Sequence, residues 1–208
     1  MISASVSNLE LFRCWKHDEE LTVEWLKERI MGPFERTPQM IAGEAFHKAL
    51  EIASLGEVET IQANGYRFEF MCESSIEVTP FREVRCSKEY GDLKVRGRAD
   101  SIIGKLIVDY KTTAQFDPER LLNGYQWRYY LDMTLADRFR WNVFVLDEME
   151  DFRFAVRDVH TLEQNRYPDL ESDCLKLARE YSAFAAEHLV KPAEASLLIT
   201  EHDLAVSS

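Results

Sequence analysis

The sequence predicts an α/β fold in which helices flank a mixed central β-sheet. Three observations carry this expectation. Apolar residues recur at helical spacing near both ends of the chain. Residues 66–112 consist of short runs rich in β-branched and aromatic side chains. A further helix and two strands stand between that block and the last helix, an order that asks for layers of both kinds.

Taken in order, "SASVSNLELFRCWKHDEELTVEWLKERI" reads as helix in two pieces, with Ser5 or Ser7 as N-cap. "GPFERTP" interrupts it, because Pro33 and Pro38 lack a backbone donor. "QMIAGEAFHKALEIASLG" is the next helix. Its apolar stripe is Ile41, Ala45, Leu50 and Ile52, and Gly56 is its expected C-terminal cap. "YRFEFMC", "SIEVTPFREVRC", "LKVRGRADSII" and "KLIVDYKT" follow as an antiparallel meander. Asp117-Pro118-Glu119 opens another helix, with Asp117 as N-cap and Pro118 in the first turn. That helix is expected to run on through "RLLNGYQWRYYLDMTLADR". "WNVFVL" and "FRFAVRDV" are strands joined by an acidic turn, and "PDLESDCLKLAREYSAFAAEHL" is a final amphipathic helix. No linker or repeat interrupts the 208 residues, so one domain is expected.

Composition excludes several classes. No stretch is long and apolar enough to span a membrane. The opening "MISASVSNLE" lacks a basic segment followed by an apolar one, so no secretory signal and a cytoplasmic location are expected. Cys14, Cys72, Cys86 and Cys174 are scattered, with no CxxC or CxxH pair to build a zinc site. The formal net charge of −12 argues against a passive nucleic-acid binder. It is unevenly spread, however: Arg82 to Arg128 holds ten Lys/Arg against seven Asp/Glu.

The stretch from Val95 to Thr113 raises the chemical question. Gly104-Lys105 fits a two-residue hairpin loop with Gly first. Ile103 then pairs with Leu106, Ile102 with Ile107 and Ser101 with Val108, and Asp100 lies opposite Asp109. Alternation puts Ile107, Asp109 and Lys111 on one face. Two carboxylates so placed repel, and a hard divalent cation between them reverses the sign. Gly97 marks a bulge or a close backbone approach. The competing reading is a solvent-facing hairpin with an ordinary Asp/Lys pair. Apolar Ile102, Ile103, Leu106 and Val108 weigh against it, since they suggest a buried sheet where unpaired charge is costly.

Five segments in order resemble the RecB-like branch of the PD-(D/E)xK nuclease superfamily. "SASVSNLELFRCW" is similar to the opening helix motif, and "GEAFHKALE" to the G-x-x-x-H helix through Gly43 and His47. "GRAD" is similar to the strand ending in the first metal-binding aspartate, Asp100. "DYKT" is similar to the D/E-x-K strand with Asp109 and Lys111, and "QWRYY" to the Q-x-x-x-Y helix with Gln126 and Tyr130.

The resemblance implies a restriction-endonuclease-like core over about residues 40–160, with helices 5–31 and 168–190 packed on it as one nuclease domain. It implies Mg2+ or Mn2+ held by His47, Asp100, Asp109 and the backbone carbonyl of Tyr110. Lys111 would polarise water and stabilise phosphorane charge, while Gln126 and Tyr130 would help hold the DNA end. The implied activity is a phosphodiester hydrolase, an exonuclease on linear or single-stranded DNA ends in phage-type recombination or repair, with a homo-oligomer or a recombination protein as partner. An iron–sulfur cluster is not expected, because Cys174 stands where three late cysteines would be needed. The alternatives left open are a non-catalytic protein on the same fold, and an endonuclease or RNase.

Other residues carry weaker signals. Glu44 and His47 form a single E-x-x-H, and a di-iron bundle needs two. His17, His160, His188 and His202 have no partner pattern and read as surface. Trp15 and Trp25 read as core, as does the stripe Trp127, Tyr130, Leu131 and Thr134. "DEMED" reads as a solvated hairpin tip.

Overall fold

The computed structural model describes residues 2–33, 35–53, 56–57, 59–73, 75–76 and 81–189, with backbone alone at 56, 57, 75, 76 and 81. The elements are β1 (Ile2–Ser5), α1 (Val6–His17), α2 (Val23–Met31), α3 (Pro38–Ile52), β2 (Gly56–Glu57), β3 (Thr60–Ala63), β4 (Tyr66–Phe70) and β5 (Ser75–Ile76). They continue with β6 (Phe81–Tyr90), β7 (Leu93–Ile103), β8 (Leu106–Thr113), α4 (Pro118–Asn123), α5 (Gln126–Thr134), β9 (Arg138–Glu150), β10 (Arg153–Asn165) and α6 (Leu170–His188). Two compact units result, one drawn from Met1–Phe34, Ser87–Arg96 and Glu171–Ser208, the other from Glu35–Cys86 and Gly97–Leu170. Among the described residues no helix is long and apolar enough to cross a membrane.

The larger unit holds the strand order β7-β8-β9-β10-β4-β3. β7–β8, β9–β10 and β3–β4 pair antiparallel, while β8–β9 and β10–β4 pair parallel, so the sheet is mixed as expected. The expected meander is corrected. β4 does not lead into β7; it pairs with β10, where Phe68 stacks on Phe154 at 5.7 Å. β3 escaped the sequence reading, although the turn joining it to β4 is Asn64-Gly65, both at positive φ, 52° and 83°. That is the pairing a two-residue hairpin turn demands.

Helices cover both faces of this sheet. α3 starts at Thr37, whose side chain accepts the Met40 N–H, with Pro38 in the first turn. It buries Ala42, Ala45, Phe46, Ala49 and Leu50. Of the expected stripe, Ala45 and Leu50 are buried, while Ile41 and Ile52 are exposed. Ala53, not Gly56, is the C-cap, and Gly56 starts β2 instead. The ring of Phe46 meets Phe68 edge-on at 5.0 Å and Phe144 at 4.7 Å.

On the opposite face, Trp127 and Tyr130 of α5 meet Trp141 and Phe139 of β9 at 6.4 and 6.2 Å. Asp117 caps α4 as read from sequence, accepting the Arg120 N–H. The single helix expected after it is two, because Gly124 caps α4 in an extended conformation and α5 starts afresh at Gln126.

The smaller unit contains β1, which pairs parallel with Leu93–Arg96 of β7. Its helices follow the reading, with Ser5 capping α1 through the Asn8 N–H. Phe12 lies edge-on to Tyr181 at 5.5 Å and against Phe184 at 5.4 Å, which seats α1 on α6. Trp15 joins them at 5.2 Å from Phe184.

Phe46 is the one large side chain that α3 buries completely, amid alanines. Phe46→Ala is expected to destabilise the protein by about 3–5 kcal/mol. Urea unfolding with an unchanged slope and a lowered midpoint would record it; an unchanged midpoint would show that α3 is not anchored there.

Candidate active site

The site grows from β8. Leu106, Ile107 and Val108 bury this inner strand, and Asp109 continues it at 4% exposure. The register Ile107↔Phe139, Asp109↔Trp141 and Lys111↔Val143 puts Asp109 and Lys111 on the face that α5 covers. A carboxylate there needs compensation. Lys111 Nζ donates to Asp109 Oδ1 at 3.1 Å and stands 2.9 Å from Oδ2. Gln126, the first residue of α5, donates from Nε2 to Oδ1 at 3.3 Å. Among the described residues Oδ2, which is buried, has no hydrogen bond beyond that ion pair with Lys111.

The hairpin register Ser101↔Val108, Ile102↔Ile107 and Ile103↔Leu106 is the one read from sequence, with Gly104 at φ 58° as the first turn residue. Asp100 corrects the rest of that reading. The β7–β8 ladder ends at Ser101↔Val108, one step short of an Asp100–Asp109 pair. Asp100 instead accepts the Tyr110 N–H on Oδ2 at 2.8 Å, doing with a side chain what a strand carbonyl would do. Burial pushes the Asp100 carboxyl up to about 7, and the charge of Asp109 pushes the same way. The Lys111 ammonium and the Tyr110 N–H oppose the shift without cancelling it.

His47 comes from α3. Gly43, one turn earlier, stands where a Cβ would lie 3.0 Å from Thr112 Oγ1, so glycine lets this part of α3 approach β8. His47 Nδ1 is 3.8 Å from Asp100 Oδ2, a weak contact. Burial holds the imidazole below its usual range, helped by Lys111, which favours the neutral, ligand-competent form.

Tyr130, on the same helix as Gln126, ties α5 to β7. Its hydroxyl accepts the Arg98 N–H at 3.2 Å and donates to the Arg98 carbonyl at 2.9 Å. A Cβ on Gly97 would sit 2.6 Å from Tyr130 Cε1, so what comes close at Gly97 is this ring rather than a backbone. Tyr130 thus pins β7 two residues before Asp100. Glu44 is exposed and paired with Arg36 at 2.8 Å.

One feature had no sequence signal. Glu83 sits in the left-handed region at φ 55°, with its carboxylate 2.6 Å from Arg98 Nε. Both line a cavity of about 680 Å³ together with His47, Lys48 and Asp100.

No three His, Cys, Asp or Glu side chains among the described residues converge into a ready-made metal cage. The donors nevertheless fit a hard divalent cation. Buried Asp109 Oδ2 meets the Lys111 ammonium but takes no further hydrogen bond among the described residues, a second carboxylate stands beside it at Asp100, and a neighbouring imidazole is biased toward its neutral form.

The sequence matches no protein-family model and no curated protein. The structure is similar to the crystal structure of SSO0001, with TM-score 0.51 and 18% identity over 86% of this chain and 74% of that one. That likeness is one of fold. A phage-related exonuclease from Haemophilus somnus 129PT aligns with TM-score 0.47 and 14% identity, over 86% of this chain and 93% of its own.

Between about pH 4 and 7 the folded chain keeps a proton on Asp100 that the unfolded chain releases. Stability without metal therefore falls as pH rises through that window. Asp100→Asn keeps the acceptor for Tyr110 and removes the charge. Thermal melts in chelator from pH 5 to 8 should show the parent losing stability and the variant losing less, so that near neutrality the variant is at least as stable. A variant clearly less stable at pH 7 would make Asp100 a structural acceptor and nothing more.

Proposed function

We propose that the chain is a metal-dependent DNA nuclease of the RecB-like PD-(D/E)xK kind, acting as an exonuclease on linear DNA ends. The observation that carries this is the convergence of the buried Asp109, ion-paired with Lys111 through both oxygens, with Asp100, which accepts the N–H of the adjoining Tyr110 and has His47 3.8 Å away. Two neighbouring carboxylates repel unless a cation joins them.

His47, Asp100, Asp109 and the Tyr110 carbonyl would hold Mg2+ or Mn2+. When bound, the cation supplies Lewis acidity to water and neutralises charge on the scissile phosphate. The rest falls to the chain. Lys111 presents an ammonium oriented by Asp109, positioned to meet charge that develops on a phosphoryl oxygen. Gln126 keeps Asp109 in one rotamer through Oδ1. Asp100, whose carboxyl is pushed up to about 7 without a cation, would hold a cation as the carboxylate, so binding would be coupled to proton release. The net charge of −12 is unevenly spread, with Arg82 to Arg128 slightly basic, and substrate binding would depend on the local field at the site rather than on the total.

The test is digestion of linear, nicked and closed circular DNA with Mg2+, Mn2+ or chelator. Linear DNA should be degraded with metal only, and circular DNA should survive. Lys111→Ala should lower the rate by about a hundredfold or more while calorimetry shows Mn2+ affinity nearly unchanged. Asp109→Ala should lose both. Undiminished cleavage in excess chelator would end the metal-dependent reading, and digestion of closed circles would make the activity endonucleolytic.

A further inference from the structure

On the sheet face of Asp109 and Lys111 stands an aromatic pair that the proposed chemistry does not use. Phe116 lies parallel to His160, with centroids 4.0 Å apart and planes 9° apart. The register carries His160 into line with the site: Lys111 pairs with Val143 on β9, and Val143 with His160 on β10. Directly paired residues share a face, so the three side chains form a row. His160 is then two strand spacings from Lys111, about 10 Å.

The pair is fixed from both sides. Thr113 Oγ1 accepts the Gln115 N–H at 3.1 Å and donates to the Gln115 carbonyl at 2.6 Å, closing the turn that delivers Phe116. His160 Nε2 stands 3.3 Å from Asp158 Oδ2. Both rings remain partly exposed, and His160 keeps 33% of its side-chain surface. Val143, between His160 and Lys111, is buried. An aliphatic side chain would cover it as well as a ring. Two parallel, immobilised, partly open rings in line with a phosphate-directed lysine suit a planar guest.

We propose that Phe116 and His160 form a stacking platform for an unpaired nucleobase of the substrate strand. The guest lies about three stacked nucleotides from the phosphate at Lys111, taking 3.4 Å per base. Stacking on an aromatic face tolerates any base, so it adds affinity without sequence preference. A base inside a duplex has both faces taken, so the platform selects single-stranded or frayed ends. This rests on the nuclease reading only for the phosphate at Lys111.

Binding is measured by fluorescence anisotropy in Mn2+ with Lys111→Ala protein, so that the strand stays intact. Single-stranded oligonucleotides carry one abasic position, moved stepwise from the end. One position should weaken binding about tenfold. Adding Phe116→Leu should weaken binding of the intact strand by a similar factor and abolish sensitivity to that position, which loss of a structural cover would not do. His160→Leu serves as a second variant should the first melt early. A flat abasic scan, unchanged affinity in both variants, or no binding at all overturns the platform. Abasic sensitivity in a protein whose parent cuts no DNA would leave the platform standing and end the nuclease reading. Cleavage with a flat scan would do the reverse.

Discussion

Asp109 is a carboxylate on an inner strand, and much of the site is arranged around keeping it there. Leaving it unpaired at 4% exposure would be costly. Lys111 alone could pair with it, but the flexible lysine stem would not settle its rotamer. Gln126 supplies the second contact, and it can do so only because a helix starts at that residue. The break at Gly124 is therefore part of the site. One unbroken helix would carry Gln126 on a different path past β8.

The same helix reaches the other carboxylate by a longer route. Tyr130 is one turn beyond Gln126, and its hydroxyl grips both backbone groups of Arg98. Asp100 follows two residues later on β7, where the ladder with β8 has stopped. α5 thus holds one carboxylate through a side chain and places the other through a backbone. The two environments diverge as a result. Asp109 is neutralised by a cation on its own strand. Asp100 has a backbone N–H and a neutral imidazole for company, and burial favours its proton.

Local chemistry was legible in the sequence wherever neighbours along the chain decide the outcome. The bounds of β7, the Gly104-Lys105 hairpin and the Asp117 cap each rest on a few adjacent residues, and each holds. What depended on distant partners was not legible. Tyr130 had a motif but no visible partner, because Arg98 is 32 residues away. Ile41 and Ile52 looked like core by hydrophobicity, yet the buried face of α3 is Ala42, Ala45, Phe46, Ala49 and Leu50, which leaves both isoleucines outside. Glu83 carried no signal at all, since its left-handed backbone belongs to glycine by propensity and is tolerated here beside Arg98. β3 is a different case: Asn64-Gly65 announces a hairpin, and only the short polar strand "TIQA" hid it.

The hydrogen bond from the Tyr110 N–H to Asp100 has one more consequence. A backbone proton that points at a titrating oxygen feels each change in that oxygen's charge. The amide resonance of Tyr110 is therefore a built-in gauge of the site. Its frequency should follow the ionisation of Asp100 across neutral pH, and would shift again if the proposed cation displaced the proton. Both changes can be read from a single peak in the intact, unsubstituted protein, with no substrate present.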